Sequence, residues 1–480
     1  MTDDTLQCYK RAEGPLPKTM LAWPLYGAGF ENLGRDCQPV ETPVPEYGPD
    51  ELLVRHDACG LCFSDIKIIR MGGNHPRLYG RDLAKEPIVQ GHEVSLTVVG
   101  VGENLRDRFR IGDRFVVQAD IYYQGKNLAY GYVFAGGLAQ YAVVGKEILE
   151  GDEGCYLLLV GEEAGYAEVA LTEPWACVEA AYSIQHRAGV KEGGVVWIVG
   201  AGGVGDYRLD GLFHPRKVIA SHLPPVLSRT LRELAEAKGF ELVELVLSPS
   251  SRSGRGPVEG VEGQDYGTLW HIHTDQQGFD DIIILGHEDP TVVEAAQDCL
   301  AKGGILNVIA SQSLGRKVAV DIGRIHYDGL GYVGSPGPDI LASYGRNTRA
   351  ELKPGGLVWF LGAGGPMGHM HVQRAIEMAD GPRKIVATNL RSGRIVELAA
   401  KAFGARARER GIKLVCLTQE AMGLEAYRER LWEETEGRGF DDIVVLAPSV
   451  EAVEMAAEYL APGGVMNIFA GLPRGTKAVL

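Results

Sequence analysis

Residues 193–203 read GGVVWIVGAGG and residues 355–365 read GGLVWFLGAGG, so a short apolar run that ends in a glycine-rich turn occurs twice in this chain. Two shorter matches follow in the same order: Gly278–Ile282 returns as Gly439–Ile443, and Gly303–Asn307 returns as Gly463–Asn467. The members of each pair lie roughly 160 residues apart, which is the length of a domain. We therefore infer a duplicated domain, with one copy at residues 173–334 and the second at residues 335–480.

Each copy has the pattern of a parallel α/β domain. After the glycine turn come a helical stretch, a second apolar run (Val218–Ala220 or Ile385–Ala387) and a later apolar run that begins at Ile282 or Ile443. Strands that alternate with helices indicate a parallel sheet. A glycine turn directly after the first strand sets the pyrophosphate of a dinucleotide against a helix N-terminus. The sequence thus predicts two doubly wound parallel-sheet (Rossmann) domains, at least one of which binds a dinucleotide.

The two fingerprints differ in the segment that follows them. From the first glycine to the basic residues before the next strand, copy one (Gly200–Arg216) is five residues shorter than copy two (Gly362–Arg383). About 1.4 helical turns are therefore missing from copy one. We assign the cofactor to copy two and regard the fingerprint of copy one as eroded. The glycines of the two fingerprints are Gly362, Gly365 and Gly368 in copy two, and Gly200, Gly202 and Gly205 in copy one.

The residues beyond the second fingerprint bear on the choice between NAD and NADP. An acidic side chain about 20 residues further on normally binds the ribose 2′-hydroxyl of NAD. Copy two has Asn389, Arg391 and Arg394 in this region, and copy one has Ser221 and His222. Arginine suits a phosphate, so NADP is favoured over NAD, with a solvated helix start as the alternative interpretation.

The region before the repeats, residues 1–172, has short β-like runs separated by glycine and proline, which predicts a β-rich domain. Its polar residues include Cys62, with Ser64 and Asp65 close behind it, and His92 beside Glu93; Glu173 opens the first repeat. A thiolate, an imidazole and a carboxylate are ligands that zinc accepts, with a fourth position left for water or substrate.

These residues, in this order, resemble the zinc-dependent medium-chain dehydrogenase/reductases, the superfamily of alcohol and polyol dehydrogenases. The resemblance covers about residues 35–335, and residues 74–83 look most like the branch of sorbose-1-phosphate reductases. The matching motifs are Cys59–Asp65, Gly91–Glu93, Gly112–Arg114, Gly136–Tyr141, Glu173–Pro174 and the first fingerprint.

The resemblance implies a GroES-like catalytic domain at residues 1–172 and a set of roles for its residues. It makes Cys62, His92 and Glu173 zinc ligands, with Glu93 as an exchanging ligand or an outer carboxylate. Ser64 would relay the proton of the alcohol, and Asp65 would hold the His92 ring. One catalytic zinc is expected and no structural zinc, because no cysteine occurs between positions 113 and 137.

Two features depart from the family pattern. Lys67 stands where relatives often carry a histidine at the end of the proton relay. The chain stops at Leu480, which aligns with Val320 of copy one, so we expect copy two to be incomplete at its C-terminus. A basic group, Lys67, Arg70, Arg77 and Arg81, either binds a phosphate or is a solvated loop.

The composition excludes several other classes of protein. The net charge of −15 disfavours nucleic-acid and membrane partners. The N-terminus lacks the pattern of a secretion signal, so we expect a cytoplasmic protein. We also expect a homo-oligomer. The favoured function is hydride transfer between NAD(P) and a polyol, a sugar or a sugar phosphate. The alternatives are a non-catalytic nucleotide-binding or sensor protein and a zinc-free enzyme like the quinone reductases.

Overall fold

The computed structural model describes residues 3–184, 186–203, 205–245, 269–287, 289–345, 349–397 and 403–480. The chain divides into two compact units, Met1–Glu179 and Ala180–Leu480. Within the described ranges, every helix is too short or too polar to cross a lipid bilayer.

The first unit is built on a five-stranded antiparallel sheet. Across the sheet its strands come in the order Tyr141–Val144, Leu52–Gly60, Glu93–Val101, Arg114–Val117 and Leu157–Leu159. Alternate residues of its strands face a single apolar core, in which Val54, Leu96 and Val144 are fully buried. The strands are β1 (Thr19–Ala22), β2 (Pro24–Leu25), β3 (Val40–Pro43), β4 (Leu52–Gly60), β5 (Ile88–Val89), β6 (Glu93–Val101), β7 (Arg114–Val117), β8 (Tyr122–Tyr123), β9 (Lys126–Asn127), β10 (Tyr141–Val144) and β11 (Leu157–Leu159). The helices are α1 (Asp3–Lys10), α2 (Phe63–Met71), α3 (Lys146–Leu149), α4 (Tyr166–Ala170) and α5 (Thr172–Tyr182).

The second unit contains both copies of the repeat except residues 173–179 of copy one, which belong to the first unit. Copy one comprises β12 (Val195–Gly200), β13 (Lys217–Ser221), α6 (Pro225–Lys238), β14 (Glu241–Leu245), α7 (Leu269–His273), β15 (Phe279–Leu285), α8 (Pro290–Gln297), β16 (Leu300–Ile309), β17 (Ala319–Asp321), α9 (Ile322–Asp328) and β18 (Gly331–Ser335). Copy two comprises β19 (Leu357–Leu361), α10 (Pro366–Glu377), β20 (Lys384–Asn389), α11 (Ser392–Glu397), α12 (Gly404–Glu409), β21 (Lys413–Thr418), α13 (Gln419–Met422), α14 (Leu424–Glu434), β22 (Phe440–Val445), α15 (Val450–Glu458), β23 (Leu460–Ile468) and β24 (Lys477–Val479).

The two copies form separate parallel sheets with the same strand order. Copy one has the order β14-β13-β12-β15-β16-β18, and copy two has the order β21-β20-β19-β22-β23. All neighbouring strands in both sheets are parallel. This order places the first strand of each repeat at the point where the strand sequence reverses, as in doubly wound nucleotide-binding folds. The predicted fold class, a β-rich domain followed by two parallel-sheet domains, is confirmed.

The duplication extends to the buried core. The indole N–H of Trp197 donates to Ser221 Oγ at 3.1 Å, and that of Trp359 donates to Thr388 Oγ1 at 2.8 Å. Both indoles are fully buried, so each needs the partner that the neighbouring strand provides.

The copies differ where the first strand passes into the second. In copy two, α10 fills this crossover. In copy one, the described residues between β12 and β13 contain no helix and instead make isolated bridges, from Leu212 to Gly189 and from Arg208 to Asp339. The sequence predicts that the crossover helix of copy one is shortened. The structure shows no helix in any described residue of that crossover.

Candidate active site

Three potential metal donors come together in the first unit. Cys62 immediately precedes α2, and His92 and Glu93 lie at the start of β6. Their donor atoms lie within 4.8 Å of one another, and no other such group of three or more occurs in the part of the chain that the structure describes. A thiolate, an imidazole and a carboxylate at this spacing match the donor chemistry of zinc.

Close backbone packing places the His92 loop. Gly91 has φ +100°, and a Cβ atom there would lie 2.6 Å from Cys59 Sγ. The N–H of Gly137 donates to Gly91 O at 2.8 Å, and the side-chain amide of Gln90 donates to Asp65 O at 2.8 Å. These contacts hold the His92 loop against both the 136–139 loop and helix α2, which explains the glycines on which the family resemblance depends.

Ser64 and Asp65 lie beside the donors. One carboxylate oxygen of Asp65 accepts the Cys62 N–H at 2.9 Å, and the other lies 3.7 Å from His92 Nδ1. Ser64 Oγ lies 3.5 Å from His92 Nε2. The structure thus brings Cys62, Ser64, Asp65, His92 and Glu93 into one cluster, with Asp65 on the side of the imidazole that the resemblance implies.

The electrostatics of this cluster favour a cation. Burial alone would lower the pKa of His92, but Asp65 and Cys62 outweigh it and raise that pKa to about 11. Burial also raises the pKa of the Glu93 carboxyl. The negative neighbours that raise the pKa of His92 are the electrostatic setting that a divalent cation needs.

Glu173, at the start of α5, lies just outside the group of three donors. Burial raises the pKa of its carboxyl to about 7, while His92 lowers it and Glu93 raises it. Sγ of Cys177, one helical turn later, lies 3.9 Å from Glu173 Oε1. Glu173 therefore lies in the electrostatic neighbourhood of the donors, but its carboxylate is not within the 4.8 Å cluster.

Three neighbours of the site were not anticipated from the sequence: Tyr132, Asp120 and Cys177. The Tyr132 ring lies 6.0 Å from the His92 ring, and burial raises the pKa of its hydroxyl while Ser64 lowers it. The Arg77 guanidinium lies 5.5 Å from the same ring and donates to Asp120 Oδ1 at 2.8 Å. None of these residues has a local sequence signature. Loops bring Tyr132 and Asp120 to the site, and helix α5 carries Cys177 one turn after Glu173.

The basic group is split by the fold. The pKa of His75 is lowered mainly by burial, and the positive charges of Arg77 and Lys67 lower it as well. Arg81 instead pairs with Glu86 at 3.5 Å and donates to Val133 O. Arg70 lies on the exposed side of α2. Arg77, through Tyr132, is thus the member that is shown beside the candidate metal site.

The fingerprint of copy two forms an open cradle at the start of a helix. The N–H of Gly362 donates to Thr388 O at 2.9 Å, and Gly365 directly precedes α10, with no atom within 4 Å of the position of a Cβ. At Gly368 a Cβ would lie 2.5 Å from Ala363 Cα, so the absence of a side chain lets α10 pack closely against the loop. An open turn followed by a 12-residue helix provides the free N–H groups and the dipole that bind a pyrophosphate.

The polar residues predicted near the ribose lie at the end of β20. The Asn389 side chain lies against Gly364, where a Cβ would be 2.8 Å from its amide carbon, and donates to Arg391 O at 2.9 Å. Arg391 and Arg394 are exposed. The Glu420 carboxylate accepts the N–H of Ser392 at 2.8 Å.

The fingerprint of copy one has a different surrounding. Gly202 donates its N–H to His222 O at 2.9 Å, next to the end of β12 at Gly200. Tyr207 occupies the space beside the loop: a Cβ at Gly205 would lie 2.4 Å from its ring, and one at Gly286 would lie 2.6 Å from its hydroxyl. Copy one thus has a tyrosine beside its glycine loop, and its described crossover residues lack the helix.

Comparisons with known proteins show which family this chain resembles. The model of the alcohol dehydrogenase GroES-like domain matches residues 48–151. Mannitol-1-phosphate 5-dehydrogenase of Aliivibrio fischeri is 29% identical over 352 residues, which are 68% of this chain and 79% of that protein. The uncharacterized protein YggP of Escherichia coli is 30% identical over 343 residues, 66% of this chain and 76% of that protein. L-sorbose 1-phosphate reductase of Klebsiella pneumoniae is 27% identical over 338 residues, 67% of this chain and 76% of that protein.

The similarity spans about two thirds of the chain and three quarters or more of each relative, and the predicted family is confirmed. The non-catalytic alternative finds no support among these relatives. The chain belongs to the medium-chain dehydrogenase/reductase family of alcohol and polyol dehydrogenases, and it is an NAD(P)-linked oxidoreductase.

Proposed function

We propose that this enzyme is zinc-dependent and transfers a hydride between NADP and a phosphorylated polyol or sugar. The observation that carries the proposal is the convergence of Cys62, His92 and Glu93 within 4.8 Å. Two of the relatives are named as acting on sugar phosphates or polyol phosphates.

Cys62, His92 and Glu93 would hold the zinc, and Glu173 would lie next to it as an exchanging carboxylate. When bound, zinc acts as a Lewis acid that makes the hydroxyl of an alcohol more acidic and a carbonyl more electrophilic. Asp65 orients the His92 ring from its Nδ1 side, which leaves Nε2 directed at the donor cluster.

Ser64 is the group proposed to move the proton. In the oxidation direction the substrate loses a proton from oxygen and a hydride from carbon. Ser64 Oγ accepts the substrate proton as its own hydroxyl proton passes on to solvent, while the nicotinamide accepts the two electrons with the hydride. The position of Ser64 supports this role, because its Oγ lies 3.5 Å from His92 Nε2, beside the donor cluster.

The nucleotide is assigned to copy two. Support comes from the open turn at Gly365 and the complete helix α10, against the Tyr207 ring that stands beside the loop of copy one. Arg391 and Arg394, exposed after β20, support a preference for NADP, while the nearby Glu420 carboxylate opposes a phosphate.

The metal assignment is tested by Cys62→Ala and His92→Ala, with Cys177→Ala as the matched control. Cys177 is a thiol near Glu173 but outside the donor group, so its variant should keep about one zinc per chain. The two donor variants should stay folded, lose the zinc and lose at least about 100-fold in kcat, since losing even an outer partner of a metal ligand costs 10–100-fold. Elemental analysis and circular dichroism measure both results. A donor variant that kept its zinc and full turnover, or a wild-type enzyme with two zincs or none after expression with added metal, would show the assignment to be wrong.

A further inference from the structure

The entry segment of copy two, which includes Ile340, Ser343 and Tyr344, packs on copy one. Asn307, fully buried in β16, donates its side-chain amide to Ile340 O at 2.8 Å and accepts the Ser343 hydroxyl at 2.7 Å. The Tyr344 hydroxyl donates to Asp281 Oδ1 at 2.9 Å. Ile340 and Tyr344 are also buried in the apolar core of copy one.

The entry segment of copy one, which includes Ala181 and Tyr182, packs on copy two. Residues Ala181 and Tyr182 are the repeat equivalents of Ser343 and Tyr344. The Asn467 amide nitrogen, the equivalent of that of Asn307, lies 3.5 Å from Ala181 O. Tyr182 hydrogen-bonds to His371 Nδ1 on α10 at 2.6 Å, and both side chains are buried.

The exchange of these segments is therefore reciprocal. The entry segment of each copy contacts the matching asparagine of the other copy, rather than the asparagine of its own copy. Such reciprocity is the signature of a two-fold interface between identical partners, in which a contact from one side to the other is repeated in reverse. Here both partners are parts of one chain.

A strand pair joins the copies at a second place. Strand β17 of copy one pairs antiparallel with β24 of copy two, with Val320 opposite Ala478. Val318 and Leu480 exchange both of their backbone hydrogen bonds at 2.9 Å. Because Leu480 is the repeat equivalent of Val320, the two strands come from corresponding positions of the repeat.

The apolar cores are also linked. Ile322, at the start of α9 in copy one, is fully buried in the core of copy two. Ile325 and Leu480 pack against the cores of both copies. Opening one copy thus exposes apolar surface that the other copy buries, which is the condition for cooperative unfolding.

We propose that copy one is the internal partner subunit of copy two: it binds no nucleotide itself, and the reciprocal interface makes its stability depend on nucleotide bound in copy two. This inference rests on the proposed assignment of the nucleotide to copy two. The partner that this interface accepts is the other half of the same chain.

The test is hydrogen exchange of the full chain with and without NADPH, at a concentration 100 times the measured Kd. A ligand at this concentration slows exchange through any opening that releases it by about 100-fold. Amides of β12 and β15 report copy one, and those of β19 and β22 report copy two. The interlocked pair predicts slowing in both copies.

Each other result is decisive. Slowing confined to copy two overturns the internal-partner inference and leaves the proposed nucleotide site in place. Slowing confined to copy one overturns both. Bound NADPH that slows neither set of core amides also overturns the inference, since binding would then be uncoupled from opening of either copy.

The interface itself is tested by Ala478→Pro. In an antiparallel pair, hydrogen-bonded residue pairs recur at every second position. Because Val318 and Leu480 form such a pair, Val320 and Ala478 form the next one. Proline at position 478 removes the backbone N–H that donates in it. We expect NADPH to slow exchange in copy two but no longer in copy one. Val479→Ala is the matched control, because its side chain is half exposed and its backbone N–H still donates to Glu454. Persistent slowing of copy one in Ala478→Pro would count against the interface, and the wild-type result stands even if this variant fails to fold.

Discussion

At the scale of single residues, Arg77 is the best candidate for recognising a substrate phosphate. Its guanidinium is half exposed, lies over Tyr132 next to His92, and is oriented by the Asp120 carboxylate. Arg81 is already engaged by Glu86 and a backbone carbonyl. The fold thus separates two arginines that the sequence presents as one basic group.

Arg77→Ala is predicted to raise the KM for a sugar phosphate by roughly 10- to 100-fold, because a charge-assisted hydrogen bond contributes about 1.5–3 kcal/mol. The KM for the unphosphorylated polyol should change little, and Arg81→Ala is the matched control. Steady-state kinetics on both substrates measure the effect. Equal effects of Arg77→Ala on the two substrates would rule out a phosphate contact.

Arg391 is the residue predicted to select NADP. Because it is exposed after β20 and beside Asn389, its replacement by Ala should weaken NADPH binding about 10-fold and leave NADH binding unchanged. Fluorescence titration of both cofactors measures this. Glu420→Gln is expected to act in the opposite direction, since it removes a negative charge that accepts the Ser392 N–H. Equal losses for NADH and NADPH would assign Arg391 a structural role instead.

At the scale of elements, the decisive difference between the copies is the crossover after the first strand. Helix α10 presents its N-terminus behind Gly365, whereas the described residues of copy one pass from Gly205 to β13 without a helix. A pyrophosphate needs both the close backbone and the helix dipole, and copy two alone offers the two together in the described residues.

Gly365→Trp is predicted to abolish NADPH binding, because the indole would occupy the open space in front of α10. Gly202→Trp should leave binding intact. Gly202 has φ +76°, so a side chain there strains the backbone, and circular dichroism must show that this variant is folded. Loss of binding in Gly202→Trp alone would reverse the assignment of the two copies.

The sequence predicts the elements well where periodicity and repetition act together. The parallel strands and the glycine turns follow from local pattern, because strand and turn chemistry is local. The short crossover after β12 was also predicted, but its described residues have lost the whole helix and not only part of it. Asp281 and Asp442, which precede apolar runs and resemble turn residues, instead lie within β15 and β22. Each accepts the N–H of a lysine, Lys191 or Lys353, and this partner is distant in sequence and therefore invisible to a local pattern.

At the scale of the whole molecule, the sequence predicts those residues of the site that belong to recognisable motifs. Cys62, His92 and Glu93 were identified from the resemblance and are brought together, while Tyr132 and Asp120 come from loops whose course only the folded chain defines. The reciprocal contacts between the copies were also beyond the sequence, because a repeat shows which segments are equivalent but not which copy each segment packs against.

Tyr207 has a consequence for how a binding titration would be read. A chain of 51.9 kDa with two nucleotide-type folds, one of which has a tyrosine ring beside its glycine loop, is expected to take up a single equivalent of cofactor. One equivalent of cofactor for two nucleotide-type folds would resemble half-of-the-sites reactivity. In a symmetric dimer, that behaviour requires the first ligand to weaken the second site. Here the two folds differ in sequence, so only one of them should bind cofactor at any cofactor concentration. The binding isotherm should therefore show one equivalent and no negative cooperativity.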